Sequence, residues 1–342
     1  MTQLINRPPL IQRPFSVNTY ALSKVWYRTS CVNLRESDFL AINSSIKKWI
    51  YADLLFKPEE MVLFRKVKDG GLALVSCKFK SLAFRIKTFL ELAAHQSYLG
   101  SLFANILYRA YILDEGVEAP PVPPYYDEEF FAIIKEAIND GEDVVSMSVK
   151  HWYNYLLEKN ITIITNTEGR ILRPCRVQNL YADVAWEAVW SNVRHPALSN
   201  QTKSFAWKFV HDLLPTEVRL YAASLNKDPY CRFSCVGNPI GDLEHCFFQC
   251  RTTTEVGSWL LNVHQKVNFV SNPCLIMKLD LQANVGLLIL TIKALEYCWS
   301  KRSASRDAIL VEFLASLETE LKVLDMTKYR PVGEQVRQLV LL

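Results

Sequence analysis

The sequence predicts a mainly α-helical, multi-helical protein with few short strands and one small zinc-stabilised module. Three observations support this fold class. Apolar residues recur at intervals of three and four along much of the chain, only 11 Gly and 15 Pro interrupt 342 residues, and four cysteines fall within twenty residues around one histidine. Apolar residues make up 50% and charged residues 22% of the chain, which is typical of a globular protein with a sizeable core. Disordered, collagen-like and coiled-coil classes are thereby excluded.

Two amphipathic helices are expected in the amino-terminal third. One covers residues 38–54 and the other residues 78–97, because apolar side chains recur in each with a helical period. Lys78, Arg85 and Lys87 are expected to lie outside the apolar stripe of the second helix. Between the helices, the glycine pair at 70 and 71 indicates a tight turn with positive φ, followed by a short extended segment.

A linker is predicted at residues 115–129. Four prolines fall between positions 120 and 124, and acidic residues flank them, so neither a helix nor a central strand can continue there. The β-branched run at 161–165 predicts a short strand or hairpin. Helical periodicity predicts the remaining helices near residues 130–138, 152–156, 186–193, 200–213, 283–299 and 305–324.

Charge is distributed unevenly along the chain, although the net charge is only +4. Residues 1–110 carry 16 basic and 7 acidic side chains, whereas residues 111–149 carry 1 basic and 10 acidic side chains. The basic third is a candidate surface for a polyanion, because lysine and arginine release condensed counterions when they bind phosphates. A solvated helical face explains the same count equally well.

The cysteine content indicates reduced thiols in an intracellular protein. Nine cysteines, an odd number, occur without an apolar signal segment, and the apolar stretch 281–292 is too short to cross a membrane. We therefore expect a soluble protein with no membrane partner, and the sequence does not distinguish nucleus from cytoplasm. Five cysteines have apolar neighbours and are expected to be packing residues: Cys31, Cys77, Cys175, Cys274 and Cys298.

The strongest local motif is Cys231-x3-Cys235-x9-His245-x4-Cys250. Three thiolates and one imidazole suit tetrahedral Zn²⁺, and each closely spaced pair can form half of a site that the intervening loop closes. Reduced core cysteines are the alternative interpretation. Cys246 is expected to pack or to serve as an alternative ligand. Four protein ligands leave no open position for water, so the predicted site is structural.

Common enzyme motifs are not found in the sequence. It contains no GxxxxGK[ST], GxGxxG, HExxH or GxSxG pattern. The Tyr-Ala-Asp segments at Asp53 and Asp183 lack the second carboxylate that a two-metal polymerase site needs, because Leu54 and Val184 follow them. We assign no catalytic residue and expect no enzymatic activity from this chain on its own.

Several segments together resemble a known family. The run SFAWKFVHDLLPTEVRLYAASL at 204–225, followed by CRFSC, LEHCFFQC and Trp259, is similar to the reverse-transcriptase zinc-binding region at the carboxy end of non-LTR (LINE-type) retrotransposon polyproteins. Upstream, NTYALSKVWYR at 18–28 and GGLAL at 70–74 resemble the thumb-like segment that follows the polymerase palm. The resulting division is a thumb-like basic helical region at 1–114, a Pro/acidic linker at 115–129, a helical connector at 130–199, a zinc-binding-like domain at 200–265 and a carboxy-terminal helical region at 266–342.

The resemblance implies one structural Zn²⁺ held by Cys231, Cys235, His245 and Cys250. It also implies RNA or DNA binding during target-primed reverse transcription, in which the thumb grips template and primer and the zinc region helps to bind RNA or target DNA. The family context is an RNA-directed DNA polymerase, but the catalytic palm lies outside this chain.

Basic side chains are the candidates for nucleic-acid contacts, because phosphates receive most of the hydrogen bonds at such interfaces. Trp26 and Tyr27 lie near enough in sequence to stack on bases, although packing in the core is the commoner role of such residues. Phe247 and Phe248 are expected to close the small zinc core. The basic candidates are Lys24, Arg28, Lys47, Lys48, Arg65, Lys66, Lys68, Lys78, Lys80, Arg85 and Lys87 in the first third, with Lys227, Arg232 and Arg251 near the metal motif.

A different class of function stays open. In this alternative the chain is a domesticated or relic protein-interaction scaffold, zinc only stabilises a helical adaptor, and the acidic segment 111–149 contacts a protein partner. Salt dependence separates the two hypotheses, because nucleic-acid binding weakens steeply as the salt concentration rises.

Overall fold

The mainly α-helical prediction is confirmed by a computed structural model of the chain. Within the part of the chain that it describes, strand pairing is limited to an isolated antiparallel bridge between Tyr230 and Ile240. No helix in this part is long and apolar enough to cross a membrane. The structure describes residues 7–29, 34–58, 60–94, 99–113, 116, 121–122, 126–166, 184–268, 279 and 284–342.

Most of the predicted helices are present. The predicted helices near 38–54 and 78–97 are found at 36–50 and 77–94, and those beyond the linker are found at 128–139, 149–166, 186–193, 200–210, 285–303 and 310–325. The α-helices are α1 (Arg13–Ser16), α2 (Ser23–Thr29), α3 (Glu36–Ile50), α4 (Glu60–Phe64), α5 (Cys77–Ala94), α6 (Leu99–Tyr111), α7 (Glu128–Asn139), α8 (Val149–Asn166), α9 (Trp186–Val193), α10 (Asn200–Val210), α11 (Glu217–Ala222), α12 (Thr254–Asn268), α13 (Val285–Ser303), α14 (Leu310–Asp325) and α15 (Arg330–Val340). Short 3-10 turns lie at Leu10–Gln12 and Val67–Asp69, and π-helical turns at Val17–Leu22 and His245–Gln249.

The described residues group into two compact units. Unit 1 draws on the ranges 1–12, 53–72 and 174–342, and unit 2 draws on the ranges 13–52 and 73–173. The predicted metal motif therefore belongs to unit 1. The division of the sequence into five segments stays a prediction, and residues 115, 117–120 and 123–125 of the predicted linker lie outside the described ranges.

The core of unit 2 forms where α5 packs against α6 and α8. Its centre contains buried aromatic rings, among which Phe89 and Phe130 meet edge to face with their centroids 5.5 Å apart. Phe130 is fixed at the start of α7, because its backbone N–H donates a hydrogen bond of 2.8 Å to the Asp127 carboxylate. Burial of these large apolar side chains stabilises the unit.

Arg85 departs from the pattern expected of α5. Its side chain is buried, and its guanidinium carbon lies 5.4 Å from the centroid of the Phe130 ring. The expectation that Arg85 lies outside the apolar stripe is therefore wrong. Arginine can occupy such a position because its aliphatic stem packs like an apolar side chain and its charge is attracted to an aromatic face.

The predicted strand or hairpin at 161–165 is wrong. These residues continue α8, whose start is capped by the Ser148 hydroxyl, which accepts a hydrogen bond of 3.2 Å from the His151 N–H. A β-branched residue costs at most about 0.7 kcal/mol in a helix. Extension of an established helix also avoids the cost of nucleation, so the local β preference is overridden.

The predicted glycine turn is present at Gly70, whose φ is +81°. Its carbonyl oxygen accepts hydrogen bonds from Trp207 Nε1 and His211 Nε2, each at 2.9 Å. A Cβ at this position would lie 2.5 Å from the indole ring of Trp190, so only glycine fits. Gly71 does not take a positive φ, contrary to the expectation for the pair.

Helix α13 is the central helix of unit 1. It packs against α10, α12 and α15 and against the π-helical turn His245–Gln249. Its sequence is apolar on nearly every face, which is typical of a helix that is surrounded by others. Four of its residues are fully buried: Leu287, Leu288, Leu290 and Ile292. The turn that begins at His245 is thus fixed against a buried helix.

The predicted burial of isolated cysteines is confirmed where the structure describes them. Cys77 and Cys298 are both buried. Cys31, Cys175 and Cys274 lie outside the described residues.

Candidate metal centre

The four residues of the metal motif come together in unit 1. Cys231 and Cys235 lie on the loop after α11, His245 opens the π-helical turn, and Cys250 follows that turn directly. One potential ligand atom from each residue lies within 4.8 Å of all the others. Three sulfur atoms and one ring nitrogen are therefore placed where they could hold a metal ion.

The distances between the sulfur atoms test whether a metal fits. Cys231 Sγ lies 3.7 Å from Cys235 Sγ and 3.8 Å from Cys250 Sγ, and Cys235 Sγ lies 3.8 Å from Cys250 Sγ. A tetrahedral site with metal–sulfur bonds of about 2.3 Å requires sulfur atoms roughly 3.8 Å apart, whereas a disulfide requires about 2.05 Å. The three thiols therefore have the spacing of ligands that share one tetrahedral ion.

The cysteine loop is shaped by backbone conformations that favour small or polar residues. Ser234, between the two cysteines, and Gly237 and Asn238, just before Pro239, all have positive φ, so the chain turns sharply at both places. The base of the loop is closed where the Cys231 N–H donates a hydrogen bond of 2.9 Å to the Pro239 carbonyl oxygen. The loop therefore returns to the point from which it left, and its cysteines stay close together.

The histidine half of the site is set by an acidic cap. The Asp242 carboxylate accepts a hydrogen bond of 2.8 Å from the His245 N–H and so fixes the start of the turn. At the other end, the Cys250 N–H donates a hydrogen bond of 2.8 Å to the His245 carbonyl oxygen. This wide turn brings the two side chains to the same place, although five positions separate them in the sequence.

The His245 imidazole is suited to bind a cation. It is 3% exposed, and within the described part of the chain neither of its ring nitrogens has a hydrogen-bond partner. Burial, with the nearby positive charge of Arg302, lowers the pKa of His245 below its ordinary value. The ring is therefore neutral at neutral pH and keeps a lone pair for a metal.

The surroundings favour a thiolate at Cys250 more than at Cys235. Burial alone would raise the pKa of Cys250, but hydrogen bonding with Thr252 and the charge of Arg302 lower it overall. The Thr252 hydroxyl oxygen lies 3.2 Å from Cys250 Sγ. Burial and the neighbouring sulfur atoms raise the pKa of Cys235 to about 11, although the Arg251 N–H lies 3.5 Å from Cys235 Sγ and opposes the rise.

Cys246 stands apart from the other three cysteines of this segment. It is fully buried, its Sγ lies 3.7 Å from Glu217 Oε2, and it does not belong to the four-residue cluster. Burial raises the pKa of its thiol. Of the two roles expected for Cys246, the geometry supports packing.

Phe247 and Phe248 are buried beside the candidate metal centre, as predicted. The Phe247 ring lies 5.5 Å from the Phe209 ring of α10 and 6.0 Å from the Trp299 ring of α13. These aromatic contacts join the π-helical turn to two helices of unit 1.

Two charged residues at the site have no counterpart among the predicted ligands. Arg302 at the end of α13 donates a hydrogen bond from Nη1 to Cys250 Sγ at 2.8 Å, and its Nη2 donates to both oxygens of Glu217. Both side chains are buried. The sequence near Arg302 and near Glu217 carries no signal that these residues belong to the site, because 52 residues separate Arg302 from Cys250.

The basic candidates near the motif are exposed. Lys227 and Arg251 extend into solvent. Arg232 is also exposed, but its Nε lies 3.5 Å from Glu217 Oε1 and its Nη2 donates to the Arg302 carbonyl oxygen at 3.1 Å. The charge of Arg232 is therefore partly engaged within the protein, and Lys227 and Arg251 are the better candidates for phosphate contacts at this site.

The basic candidates elsewhere are in different environments. Four of them are exposed: Lys24 and Lys48 in unit 2, and Lys66 and Lys68 in unit 1. Three residues are half-buried: the basic candidates Lys47 and Arg65, and the possible stacking residue Trp26. The side chains of Arg28 and Tyr27 lie outside the described residues. Arg85 is buried, so its charge is not at the surface. Three further candidates are engaged inside unit 2: Lys78 pairs with Glu36 at 2.8 Å, Lys80 lies over the rings of Phe84 and Tyr153, and Lys87 donates to the Val145 carbonyl oxygen at 3.0 Å.

Comparison with known proteins adds no family assignment. No protein-family model matches the sequence, and no curated protein matches it significantly. The resemblance to the reverse-transcriptase zinc-binding region therefore depends on the residues quoted above and on their spacing.

Proposed function

We propose that this chain is a zinc-binding and nucleic-acid-binding region derived from a LINE-type retrotransposon reverse transcriptase, without the polymerase palm. The observation that carries the proposal is the tetrahedral spacing of Cys231, Cys235 and Cys250, with His245 within reach of the same ion. These are the four positions that the family resemblance implies as ligands. The region would act by binding, since it carries no assigned catalytic residue.

Zinc is the metal that this donor set favours. Thiolate and imidazole ligands select Zn²⁺, whereas Mg²⁺ and Ca²⁺ prefer oxygen ligands. When bound, the ion supplies a structural cross-link between the cysteine loop and the π-helical turn. The two segments have little regular structure of their own, so such a cross-link stabilises them.

Exposed groups around the cysteine loop support nucleic-acid binding. Lys227 and Arg251 supply positive charge for phosphates. Tyr230, at the base of the loop, is 49% exposed and offers a ring on which a base can stack. A charged groove with an aromatic platform is the usual combination in proteins that bind single-stranded nucleic acid.

Metal analysis tests the first half of the proposal. The full chain, purified without chelators, should contain one zinc ion per molecule, and the Cys231→Ser and Cys235→Ser variants should contain none. Cys246→Ala is the matched control, because it also removes a sulfur atom from this segment but leaves the four-residue cluster intact. A wild-type chain without zinc would contradict the proposal.

Salt titration tests the proposed nucleic-acid binding. Binding of the zinc-loaded chain to labelled RNA and DNA oligonucleotides should weaken steeply between low and moderate salt, because each phosphate contact releases counterions. No mobility shift, or a flat response to salt, would favour the protein-interaction scaffold instead. Primer extension above background would show that the chain has polymerase activity and overturn the binding-only role.

A further inference from the structure

An arginine of α13 lies against the sulfur atoms of the candidate metal centre. Arg302 is 1% exposed and places Nη1 at 2.8 Å from Cys250 Sγ and 3.8 Å from Cys231 Sγ. Its Nη2 lies 3.7 Å from Cys231 Sγ. A buried guanidinium this close to two sulfur atoms can donate charge-assisted hydrogen bonds to thiolates.

Glu217 of α11 fixes the same guanidinium. Both of its carboxylate oxygens accept hydrogen bonds from Arg302 Nη2, at 2.8 and 2.9 Å, and Glu217 is itself 2% exposed. The fit is tight, because a Cβ on Gly241 would lie 2.6 Å from Glu217 Oε2. The guanidinium carbon of Arg302 also lies 4.7 Å from the centroid of the Phe233 ring. Arg302 is therefore locked in one orientation.

The charges of the site explain why such an arginine is needed. Three thiolates and a neutral imidazole around a dication carry a net charge of about −1, and burial of an uncompensated charge is costly. The Arg302 guanidinium compensates that charge at the sulfur atoms. Glu217 compensates the guanidinium in the metal-free form, in which the sulfur atoms carry less negative charge because metal binding releases thiol protons.

We infer that Arg302 is a positioning residue of the metal centre, which holds the thiolates of Cys250 and Cys231 by hydrogen bonds and offsets their charge, while Glu217 holds Arg302. The inference rests on the proposed zinc site. It extends that site beyond the motif, because α13 becomes part of the metal module through its last turn. Outer partners of metal ligands commonly tune metal affinity in this way.

The first test is the Arg302→Met variant of the full chain. Methionine fills part of the space but removes the charge, so Glu217 and the thiolates face each other without a buried cation. The penalty is largest in the metal-bound form, in which all three sulfur atoms are thiolates. We expect zinc affinity, measured by competition with a chelator, to fall about 10- to 100-fold, and the rise in Tm on zinc binding to shrink.

The Glu217→Gln variant should have the opposite effect on the zinc-dependent rise in Tm. It leaves Arg302 without its carboxylate, but the thiolates of the metal-bound form still compensate the guanidinium. The metal-free form compensates the guanidinium less, because metal binding displaces thiol protons and so adds negative charge at the sulfur atoms. The metal-free form therefore loses more stability than the zinc-bound form, and the rise in Tm on zinc binding grows. An ion pair with a purely structural role would lower Tm equally in both forms.

Lys301→Met is the matched control, because it removes one positive charge from the same turn of α13, where Lys301 Nζ pairs with Glu312 at 2.6 Å. Its zinc-induced rise in Tm should equal that of the wild type. If Arg302→Met does not fold, Arg302→Lys and Glu217→Gln carry the test, and the lysine variant should bind zinc more weakly than the wild type. Unchanged zinc responses in the folded variants would overturn this inference, whereas a wild-type chain that binds no zinc would overturn the proposed function instead.

Discussion

His264 Nε2 and Thr291 Oγ1 lie 2.8 Å apart in the core of unit 1, and both side chains are fully buried. The Thr291 hydroxyl donates its hydrogen to the Leu287 carbonyl oxygen at 2.7 Å, so it accepts from His264 and places the imidazole proton on Nε2. Within the described residues, His264 Nδ1 is buried without a hydrogen-bond partner. A second proton on this ring would therefore be buried without an acceptor.

The fold is expected to lose stability in mild acid because of His264. Burial lowers the pKa of His264 to about 4, below the value of about 6.5 for an exposed histidine. The unfolded chain binds more protons than the folded chain between these two pH values. The stabilisation is thus fully present above pH about 6.5 and is lost as the pH falls towards 4. Between pH 7 and pH 5 the loss is about 2 kcal/mol.

His264→Gln separates this contribution from other acid effects. The glutamine amide can still donate to Thr291 but cannot be protonated. Urea unfolding of both proteins at pH 7 and pH 5, at one fixed zinc concentration, should show a free energy of unfolding that falls about 2 kcal/mol more for the wild type than for the variant. Equal pH dependence in the two proteins would rule out His264 as the titrating group.

Gly70→Ala should be more destabilising than Gly141→Ala. Both glycines have nearly the same positive φ, +81° and +84°, so both substitutions carry a backbone cost of about 1–2 kcal/mol. A Cβ at Gly141 meets nothing within 4 Å, whereas a Cβ at Gly70 would lie 2.5 Å from Trp190. The clash adds about 1–3 kcal/mol. Urea unfolding measures the difference, and equal losses would show that Trp190 moves away freely.

The helices could be predicted from the sequence because their signals are local. Apolar periodicity and caps such as Asp127 act within one or two turns. The errors fall where distant packing decides the outcome. Arg85 is buried because α7 brings Phe130 over it, and the β-branched run at 161–165 is helical because α8 is already established.

The metal motif could also be predicted because its signal is local, whereas the roles of Arg302 and Glu217 could not be predicted. Cys231, Cys235, His245 and Cys250 are close in sequence, so their spacing alone indicates a common site. Arg302 and Glu217 are 85 residues apart, and each occupies an ordinary position for its residue type near a helix end. Only the packing of α13 against the rest of unit 1 places them at the sulfur atoms.

Zinc removal should loosen one part of the chain selectively. The cysteine loop depends on a few backbone hydrogen bonds, such as that from the Cys231 N–H to the Pro239 carbonyl oxygen, so loss of the cross-link should expose residues 229–252. Helices α5 and α8 have their own core in unit 2. Hydrogen exchange with and without a chelator should therefore show faster exchange in 229–252 and unchanged exchange in α5 and α8. Uniform exchange changes would contradict a local role of the metal.

Charge removal beside the metal site should weaken nucleic-acid binding without a loss of zinc. Lys227 and Arg251 are exposed, so Lys227→Ala/Arg251→Ala should lower the slope of log K against log salt by up to about 2 for duplex DNA, since each phosphate contact contributes about 0.9. Lys322→Ala/Lys328→Ala is the control, because it removes the same charge from exposed positions at the end of α14 and just beyond it. Fluorescence anisotropy over a salt series measures both slopes. Equal slopes in the two double variants would mean that Lys227 and Arg251 contribute only through the net charge of the protein. They would then not form part of the nucleic-acid interface.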